Sequence, residues 1–252
     1  MTEVLFRFTN SISGPHIPKT IILDLDETLV HSWESPEFLD RYGICCDPII
    51  YRKFHPIGSH QIAYSMFLDM KTSASPQGTF QSRIWGLHRP HLHRFLHYLA
   101  EYADNIIVWS AGIRPYVDEI VRQIFLESGL QPPKVVRSRD NCSVYQKLYH
   151  KPIYELITDL ANQPFSTMTI DPKWTLIIDD RVHTFMQNPE SGVLIPPYHP
   201  GHKNEAKIPT MEDLLDRSDT ALLQLMNWLE RPEVKNAEDV RLLDKTQIFF
   251  GN

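Results

Sequence analysis

Residues 20–30, TIILDLDETLV, decide the fold of this chain. The first part, residues 20–25, is a continuous apolar and β-branched run, typical of a strand buried on both faces of a parallel sheet. Asp24 and Asp26 stand at its end, where a buried carboxylate without a partner is costly. Because ligands of open α/β sheets bind at the carboxyl ends of central strands, the two aspartates are candidate site residues.

The rest of the chain alternates between strand-like runs and helical periods. Further buried strands are predicted at 105–110, 134–136, 174–179 and 193–195. Helices with one apolar stripe are predicted at 91–102, 115–128 and 152–161. This order predicts an α/β fold, a doubly wound parallel sheet flanked by helices.

Two segments interrupt the alternation. Residues 31–88 are too long for a plain loop and contain β-like pieces, so they predict a small antiparallel insertion over the site. Residues 211–252 predict a helical C-terminal extension packed on the domain, with Thr210 as its N-cap. We therefore expect one α/β domain over 1–210, including the insertion at about 31–88, followed by the extension over 211–252.

Composition excludes several classes of protein. The 252 residues are 42% hydrophobic and 22% charged, which is typical of a globular chain. The net charge of -6 argues against a dedicated nucleic-acid binder. No run approaches the ~20 apolar residues of a membrane span, and no signal peptide is recognisable. Cys45, Cys46 and Cys142 form no disulfide or zinc pattern, so we expect reduced thiols in a soluble intracellular protein, nuclear or cytoplasmic.

The spacing of Asp24 and Asp26 suits a two-step reaction at phosphorus. Residues two apart near a strand end face the same way. One carboxylate can attack phosphorus while the other delivers a proton to the leaving oxygen. A turn or a metal-binding loop is the structural alternative for an isolated Asp-x-Asp.

The string DLDETLVHS, residues 24–32, resembles the haloacid-dehalogenase superfamily of aspartate-nucleophile phosphotransferases. It is most similar to the FCP/SCP-like branch, the phosphatases of the C-terminal domain of RNA polymerase II, which also includes Dullard. The resemblance implies a HAD-like fold and an aspartyl-phosphate on Asp24, with Asp26 as general acid and base. It also implies a phosphorylated protein as partner, such as the RNA polymerase II C-terminal domain.

Three later motifs match the same branch in order. Trp109-Ser110-Ala111-Gly112 resembles the phosphate-binding motif after the second strand, with Ser110 and Ala111 as contacts. The stretch from Arg139 to Lys151 resembles the branch's lysine segment and points to Lys151, not Lys147, as the phosphate-binding lysine. It also makes Arg139 a candidate second phosphate contact. Arg89-Pro90 matches an Arg-Pro pair that opens the first helix.

The last motif, Ile177-Ile178-Asp179-Asp180, resembles the acidic pair that holds magnesium. The implied ligands of Mg²⁺ are Asp24, Asp179, Asp180 and the main-chain carbonyl of Asp26. Magnesium suits such an all-oxygen set because it prefers carboxylate, phosphate and water. The branch often continues with Ser-Pro after the pair, whereas Arg181-Val182 follows here.

Four aromatic residues and two histidines each have two possible interpretations, one functional and one structural. The branch has an apolar substrate pocket, and its candidate walls here are Trp33, Phe38, Phe67 and Trp85. The alternative is that these aromatics form the insertion's own core. His93 and His97 have the i, i+4 spacing of zinc ligands, but without an acidic partner of the HExxH type we expect surface or packing roles.

Two other functions remain open from the sequence. A small-molecule phosphatase would use the same residues. A non-catalytic phosphopeptide-binding or protein-binding member of the fold would keep only the shape of the site. The complete set of Asp24, Asp26, Ser110, Lys151 and the Asp179-Asp180 pair favours an enzyme.

Overall fold

The main sheet has five parallel strands and places the motifs at one edge. The computed structural model describes residues 18–34, 42–44, 47–72, 75–163, 167–200 and 209–249, and only the main chain of 70–72 and 75–80. The strands are β1 (Thr20–Leu23), β2 (Val30–Trp33), β3 (Ala63–Thr72), β4 (Ser75–His88), β5 (Asn105–Trp109), β6 (Val135–Arg137), β7 (Ser143–Tyr145), β8 (Leu148–His150), β9 (Thr175–Asp179) and β10 (Gly192–Leu194). The parallel sheet has the order β10-β9-β1-β5-β6.

Helices cover both faces of this sheet. They are α1 (Pro48–Phe54), α2 (Leu92–Tyr102), α3 (Arg114–Glu127), α4 (Ile153–Ala161), α5 (Met211–Leu215), α6 (Ala221–Leu229) and α7 (Pro232–Lys235). Short 3₁₀ turns lie at Arg139–Asn141, Pro172–Trp174, Val182–Phe185, Pro189–Ser191 and Val240–Leu242. No helix in the described ranges has the length and apolar character needed to cross a bilayer. The predicted doubly wound α/β fold is confirmed.

The alternation of side chains along β1 explains the two helical layers. Ile21 and Leu23 pack in a core with α2, α3 and α6, whereas Ile22 packs on the opposite face with α4. All three are fully buried, which stabilises each by about 1.5–3 kcal/mol relative to exposure. A polar residue at any of these positions would lose that burial, so the strand reads as one apolar run.

The boundaries of α3 show how local chemistry ends a helix. Pro115 lies in the first turn, where its missing N–H costs nothing. Gly129 follows the last turn with φ +71°, and the N–H of Leu130 donates to the carbonyl of Phe125. A glycine with positive φ is the common C-terminal stop.

The insertion is a three-stranded antiparallel sheet in the order β2-β4-β3, as predicted, together with α1. Helix α1 was not predicted; it begins after Asp47, whose carboxylate accepts from the N–H groups of Ile49 and Ile50. Trp85 is buried against Phe54 of α1 and packs on Trp33 at 5.3 Å between ring centroids. These aromatics form a core of the insertion.

Candidate active site

The loop after β1 brings Asp24 and Asp26 to the same cavity. The Asp24 N–H donates to the Ile178 carbonyl of β9 at 3.0 Å, which fixes the loop to the neighbouring strand. The Leu25 carbonyl then accepts from the N–H groups of Leu29 and Val30. These bonds fold the loop tightly back into β2, and both aspartates line the cavity.

Arg89 holds this loop from behind. Its side chain is fully buried and donates to the Thr28 carbonyl at 3.1 Å and the Pro196 carbonyl at 2.7 Å. It also makes a two-pronged pair with Asp219, at 2.9 and 2.8 Å. The sequence pointed to Arg89 only as part of a helix-opening pair, and nothing local pointed to Asp219. The C-terminal extension therefore helps to fix the loop.

Lys151 lies between two of the predicted carboxylates. Its ammonium is buried and lies 2.6 Å from both Asp24 Oδ1 and Asp179 Oδ2. The β7–β8 hairpin delivers it, and Lys147 lies exposed in the hairpin turn with φ +64°. Burial opposes the charged amine, but the carboxylates of Asp179 and Asp24 outweigh it and raise the pKa of Lys151.

Three carboxylates converge beside this lysine. Oxygens of Asp24, Asp179 and Asp180 lie within 4.8 Å of one another. Burial raises the pKa of Asp24 well above its usual range, against the attraction of Lys151. Burial and the neighbouring Asp179 charge raise the pKa of Asp180 to about 6.

One oxygen of this cluster, Asp180 Oδ1, is buried and has no hydrogen-bond partner in the described part of the chain. The cluster is also richer in carboxylates than in buried cations, since among the described residues only the Lys151 ammonium bridges Asp24 and Asp179. An unpaired buried oxygen in an all-oxygen set fits a hard divalent cation such as Mg²⁺. The residues present therefore fit the predicted metal.

Asp26 is oriented by a hydroxyl relay that the sequence did not indicate. The Tyr116 phenol donates to Asp26 Oδ1, and the Ser110 hydroxyl lies 3.4 Å from Oδ2. Ser32 Oγ lies within hydrogen-bond distance of both Tyr116 and Tyr64. Burial raises the pKa of Asp26 to about 6, while the hydrogen bond from Tyr116 limits the rise.

The loop after β5 forms the opposite wall. The Gly112 N–H donates to Ser110 Oγ at 2.9 Å, and a Cβ on Gly112 would come 2.9 Å from the Tyr116 ring. Arg139 Nε donates to the Ala111 carbonyl at 2.8 Å. Ser110, Ala111 and Arg139 thus face the same cavity as the aspartates.

The cavity has a volume of about 640 Å³ and its apolar wall differs from the predicted one. Trp33 and Trp85 belong to the insertion core, as the alternative reading held, and Phe67 is 64% exposed away from the cavity lining. Phe38 lies outside the described residues. The observed apolar and aromatic wall consists of Leu68, Ile84, Ile113, Tyr116 and Tyr149. Side chains alternate along a strand, so Leu68 faces inward where its neighbour Phe67 faces solvent.

Comparisons with known proteins identify the family and the fold of this chain. The sequence profile of NLI interacting factor-like phosphatases matches residues 19–241. A Dictyostelium discoideum protein named "Probable C-terminal domain small phosphatase" is 25% identical over 228 residues, which cover 89% of this chain and 53% of that protein. The chain thus spans about half the length of this curated relative.

Two solved structures share the fold. One is Fcp1, an essential RNA polymerase II CTD phosphatase, with a TM-score of 0.60 and 18% identity over 84% of this chain and 61% of that one. The other is fission yeast Fcp1 bound to beryllium fluoride, with a TM-score of 0.54 and 16% identity over 84% and 51%. The matched profile covers most of the chain, so the chain belongs to the NLI interacting factor-like phosphatase family.

Proposed function

We propose that this chain is a magnesium-dependent protein serine/threonine phosphatase that works through an aspartyl-phosphate on Asp24. The observation that carries the proposal is the position of Lys151, buried between Asp24 and Asp179, with Asp26 facing the same cavity. A buried cation beside a carboxylate nucleophile lowers the repulsion that a phosphate dianion meets on approach.

The proposed contacts of the phosphoryl group line the same cavity as the two aspartates. Lys151 contributes the buried positive charge and the Ser110 hydroxyl a hydrogen bond. Arg139 is exposed at the cavity wall and reaches a phosphoryl oxygen as a second cation. Ala111 lies in the loop before α3, where main-chain N–H groups favour anions.

In the first step an oxygen of Asp24 attacks phosphorus. The bond from phosphorus to the serine or threonine oxygen breaks, and that oxygen takes the proton of the Asp26 carboxyl group and leaves as the alcohol. The raised pKa of Asp26, about 6, keeps part of the population protonated near neutral pH. Tyr116 fixes the orientation of that carboxyl group.

In the second step water attacks phosphorus of the aspartyl-phosphate. Asp26, now a carboxylate, takes a proton from the water, the bond from phosphorus to Asp24 breaks, and inorganic phosphate leaves. Asp24, Asp179, Asp180 and the Asp26 carbonyl would hold Mg²⁺, which neutralises charge on the phosphoryl oxygens when bound. The residues that perform the proton transfers belong to the chain itself.

The substrate class follows from the cavity wall and the relatives. The cavity has polar residues at its base and an apolar wall, which suits a peptide side chain next to the phosphorylated residue. One similar protein is named a probable C-terminal domain small phosphatase, and a structural neighbour is named an RNA polymerase II CTD phosphatase. A phosphorylated protein such as that domain is the proposed partner.

The test is release of phosphate from phosphoserine peptides of the polymerase C-terminal domain, with and without Mg²⁺, beside p-nitrophenyl phosphate. Rapid quenching with a ³²P-labelled peptide should trap label on the protein, and hydroxylamine should release it. We expect magnesium-dependent peptide turnover and trapped label.

The same assay separates the alternatives. Turnover of p-nitrophenyl phosphate without any tested phosphopeptide would favour a small-molecule phosphatase. Binding of the phosphopeptide without turnover would favour a non-catalytic member of the fold. Either result would contradict the proposed protein phosphatase.

A further inference from the structure

A second cluster of potential metal ligands lies away from the cavity. His88 ends β4, His93 lies in α2 and Glu127 ends α3. One ligand atom from each residue lies within 4.8 Å of the other two, and His88 Nε2 is 3.7 Å from Glu127 Oε2. The cluster therefore joins three elements that are separate in the sequence.

Two of these atoms are buried without a hydrogen-bond partner in the described chain, namely His88 Nε2 and Glu127 Oε2. His88 Nδ1 lies 3.0 Å from the Gln61 carbonyl, which can only accept, so the single proton of the neutral ring is on Nδ1. Nε2 then presents a lone pair to a carboxylate oxygen. Two buried acceptors that face each other are unfavourable until a proton or a metal ion lies between them.

His93 also keeps one nitrogen available. Its Nε2 lies 3.2 Å from the Gln61 carbonyl and its Nδ1 lies 2.7 Å from Ser128 Oγ. A neutral ring has one proton for these two oxygens, so one nitrogen offers a lone pair. The Ser128 hydroxyl has another acceptor, the Ile124 carbonyl at 2.6 Å, and so can release the nitrogen to a metal ion.

The protonation states agree with ligation. Burial lowers the pKa of His88 to about 3 and the pKa of His93 to about 4, so both imidazoles are neutral. Metal binding requires neutral imidazole. Burial also raises the pKa of Glu127 to about 7, which is the behaviour of a carboxylate that lacks a cation.

We infer that His88, His93 and Glu127 bind a divalent transition-metal ion of the Zn²⁺ type. Two histidines and one carboxylate, with an open fourth position, are a known zinc ligand set. A tetrahedral site with bonds of about 2.0–2.1 Å has ligand atoms about 3.3 Å apart, close to the 3.7 Å between His88 and Glu127. Small side-chain rotations would bring the ligand atoms to the spacing of a tetrahedral site.

The surroundings supply what such a site needs. The Gln61 carbonyl orients both rings, which is the usual task of an outer hydrogen-bond partner of ligating histidines. A cavity of about 350 Å³ lined by Gln61 and Glu127 borders the cluster at Glu127. The bound ion would tie the end of β4 to α2 and α3.

The i, i+4 spacing of His93 and His97 does not place both histidines in the cluster. His97 lies one turn after His93 on α2, but it is exposed and is not part of the cluster. His88, five residues before His93 and on β4, takes its place. His97 is therefore a matched control for His93 and His88.

The test uses the full chain, stripped of metal by a chelator and then saturated with Mg²⁺ so that the carboxylate cluster is occupied. Zn²⁺ is titrated against a chromophoric chelator, and Co²⁺ is added separately to record its visible spectrum. We expect one equivalent of tight Zn²⁺ and a Co²⁺ spectrum typical of four ligands. Glu127→Gln and His88→Gln should each weaken Zn²⁺ at least about tenfold, and His97→Gln should leave it unchanged.

Glu127→Gln keeps the test valid if a histidine variant fails to fold, because its amide can donate a hydrogen bond to His88 Nε2. Circular dichroism should show an intact fold for this variant. Absence of Zn²⁺ binding by the parent chain would overturn the site. Equal Zn²⁺ affinity of Glu127→Gln and the parent, or equal weakening in His97→Gln, would also overturn it.

Discussion

Two buried clusters of ionisable groups differ in how their charges and lone pairs are neutralised. In the carboxylate cluster, Lys151 lies 2.6 Å from both Asp24 and Asp179, so part of the charge is neutralised by the chain itself. In the histidine cluster, His88 Nε2 and Glu127 Oε2 face each other with no hydrogen-bond partner among the described residues. We propose that Mg²⁺ completes the charge balance of the first cluster and that Zn²⁺ lies between the two facing acceptor atoms of the second.

The chemical type of the donor atoms in each cluster determines which metal ion it favours. Carboxylate oxygens suit Mg²⁺, whereas imidazole nitrogens suit Zn²⁺ and other transition metals. The carboxylate cluster faces the large cavity, as turnover requires, and the histidine cluster lies between β4, α2 and α3. We therefore expect the first ion to serve chemistry and the second to serve stability.

Asp24→Asn should have the largest effect, and it should affect the carboxylate cluster without affecting the histidine cluster. Loss of the nucleophile should lower kcat by about 10⁴- to 10⁶-fold, because the amide cannot form the aspartyl-phosphate. Zn²⁺ affinity at the histidine cluster should not change. Steady-state phosphate release and Zn²⁺ titration of the same preparation check both points, and turnover within tenfold of the parent would contradict the mechanism.

Lys151→Met tests how much the buried Lys151 ammonium contributes to the free energy of unfolding. Removing one partner of a buried ion pair costs about 3–5 kcal/mol, and the methionine leaves Asp24 and Asp179 facing each other. Urea denaturation without Mg²⁺ measures the free energy of unfolding. Lys147→Met in the exposed hairpin turn is the control and should stay within about 0.5 kcal/mol of the parent; an equal loss in both variants would contradict the role of Lys151.

Tyr116→Phe tests the orientation of Asp26. Loss of one hydrogen bond of about 1–1.5 kcal/mol should lower kcat/KM by about tenfold. Because the Tyr116 hydrogen bond lowers the pKa of Asp26, its removal should raise that pKa. A general acid must be protonated, so the decline of the rate with rising pH should move to higher pH.

The pH profile of kcat/KM is the measurement for this variant, and Tyr64→Phe is its control. Tyr64 contacts Ser32, which in turn contacts Tyr116, so Tyr64 lies two hydrogen bonds further from Asp26 and its variant should shift the profile less. A larger shift in Tyr64→Phe than in Tyr116→Phe would contradict the direct role of Tyr116.

Glu127→Gln in the metal-free chain should have the smallest effect. The amide replaces a carboxylate that faces a lone pair and can donate to His88 Nε2, so the free energy of unfolding should be equal or higher, by up to about 1 kcal/mol. Glu119→Gln on the same helix breaks a surface pair with Arg122 and should cost about 0.3–0.5 kcal/mol. A large loss in metal-free Glu127→Gln would show that the carboxylate already has a partner.

Much of the fold could be predicted because its determinants are local. The strands of the main sheet and the helices α2, α3 and α4 follow from apolar periods, with Pro115 and Gly129 marking the ends of one helix. The boundary between the catalytic domain and the extension stays a prediction, as do the chemical roles of the site residues. Helix α1 was missed because it is only seven residues long and buries only Phe54, so it has no apolar stripe.

Some site residues could likewise be predicted from the local sequence, and others could not. Asp24 and Asp26 were predictable because both lie in one tight loop after one buried strand. Lys151 was found only through resemblance, since no local pattern distinguishes it from Lys147. Trp33 and Trp85 were open to two readings because sequence gives their apolar character but not the surface on which they pack.

Local sequence patterns are sufficient to predict the main-sheet strands, the helices α2 to α4 and the acidic residues at the strand ends, because neighbouring residues share one backbone geometry. The tertiary structure alone decided the contacts between distant segments. These are Arg89 with Asp219, Tyr116 with Asp26, and His88 with Glu127. Such pairs depend on how elements pack, and a chain's local chemistry does not specify which distant side chain will lie opposite.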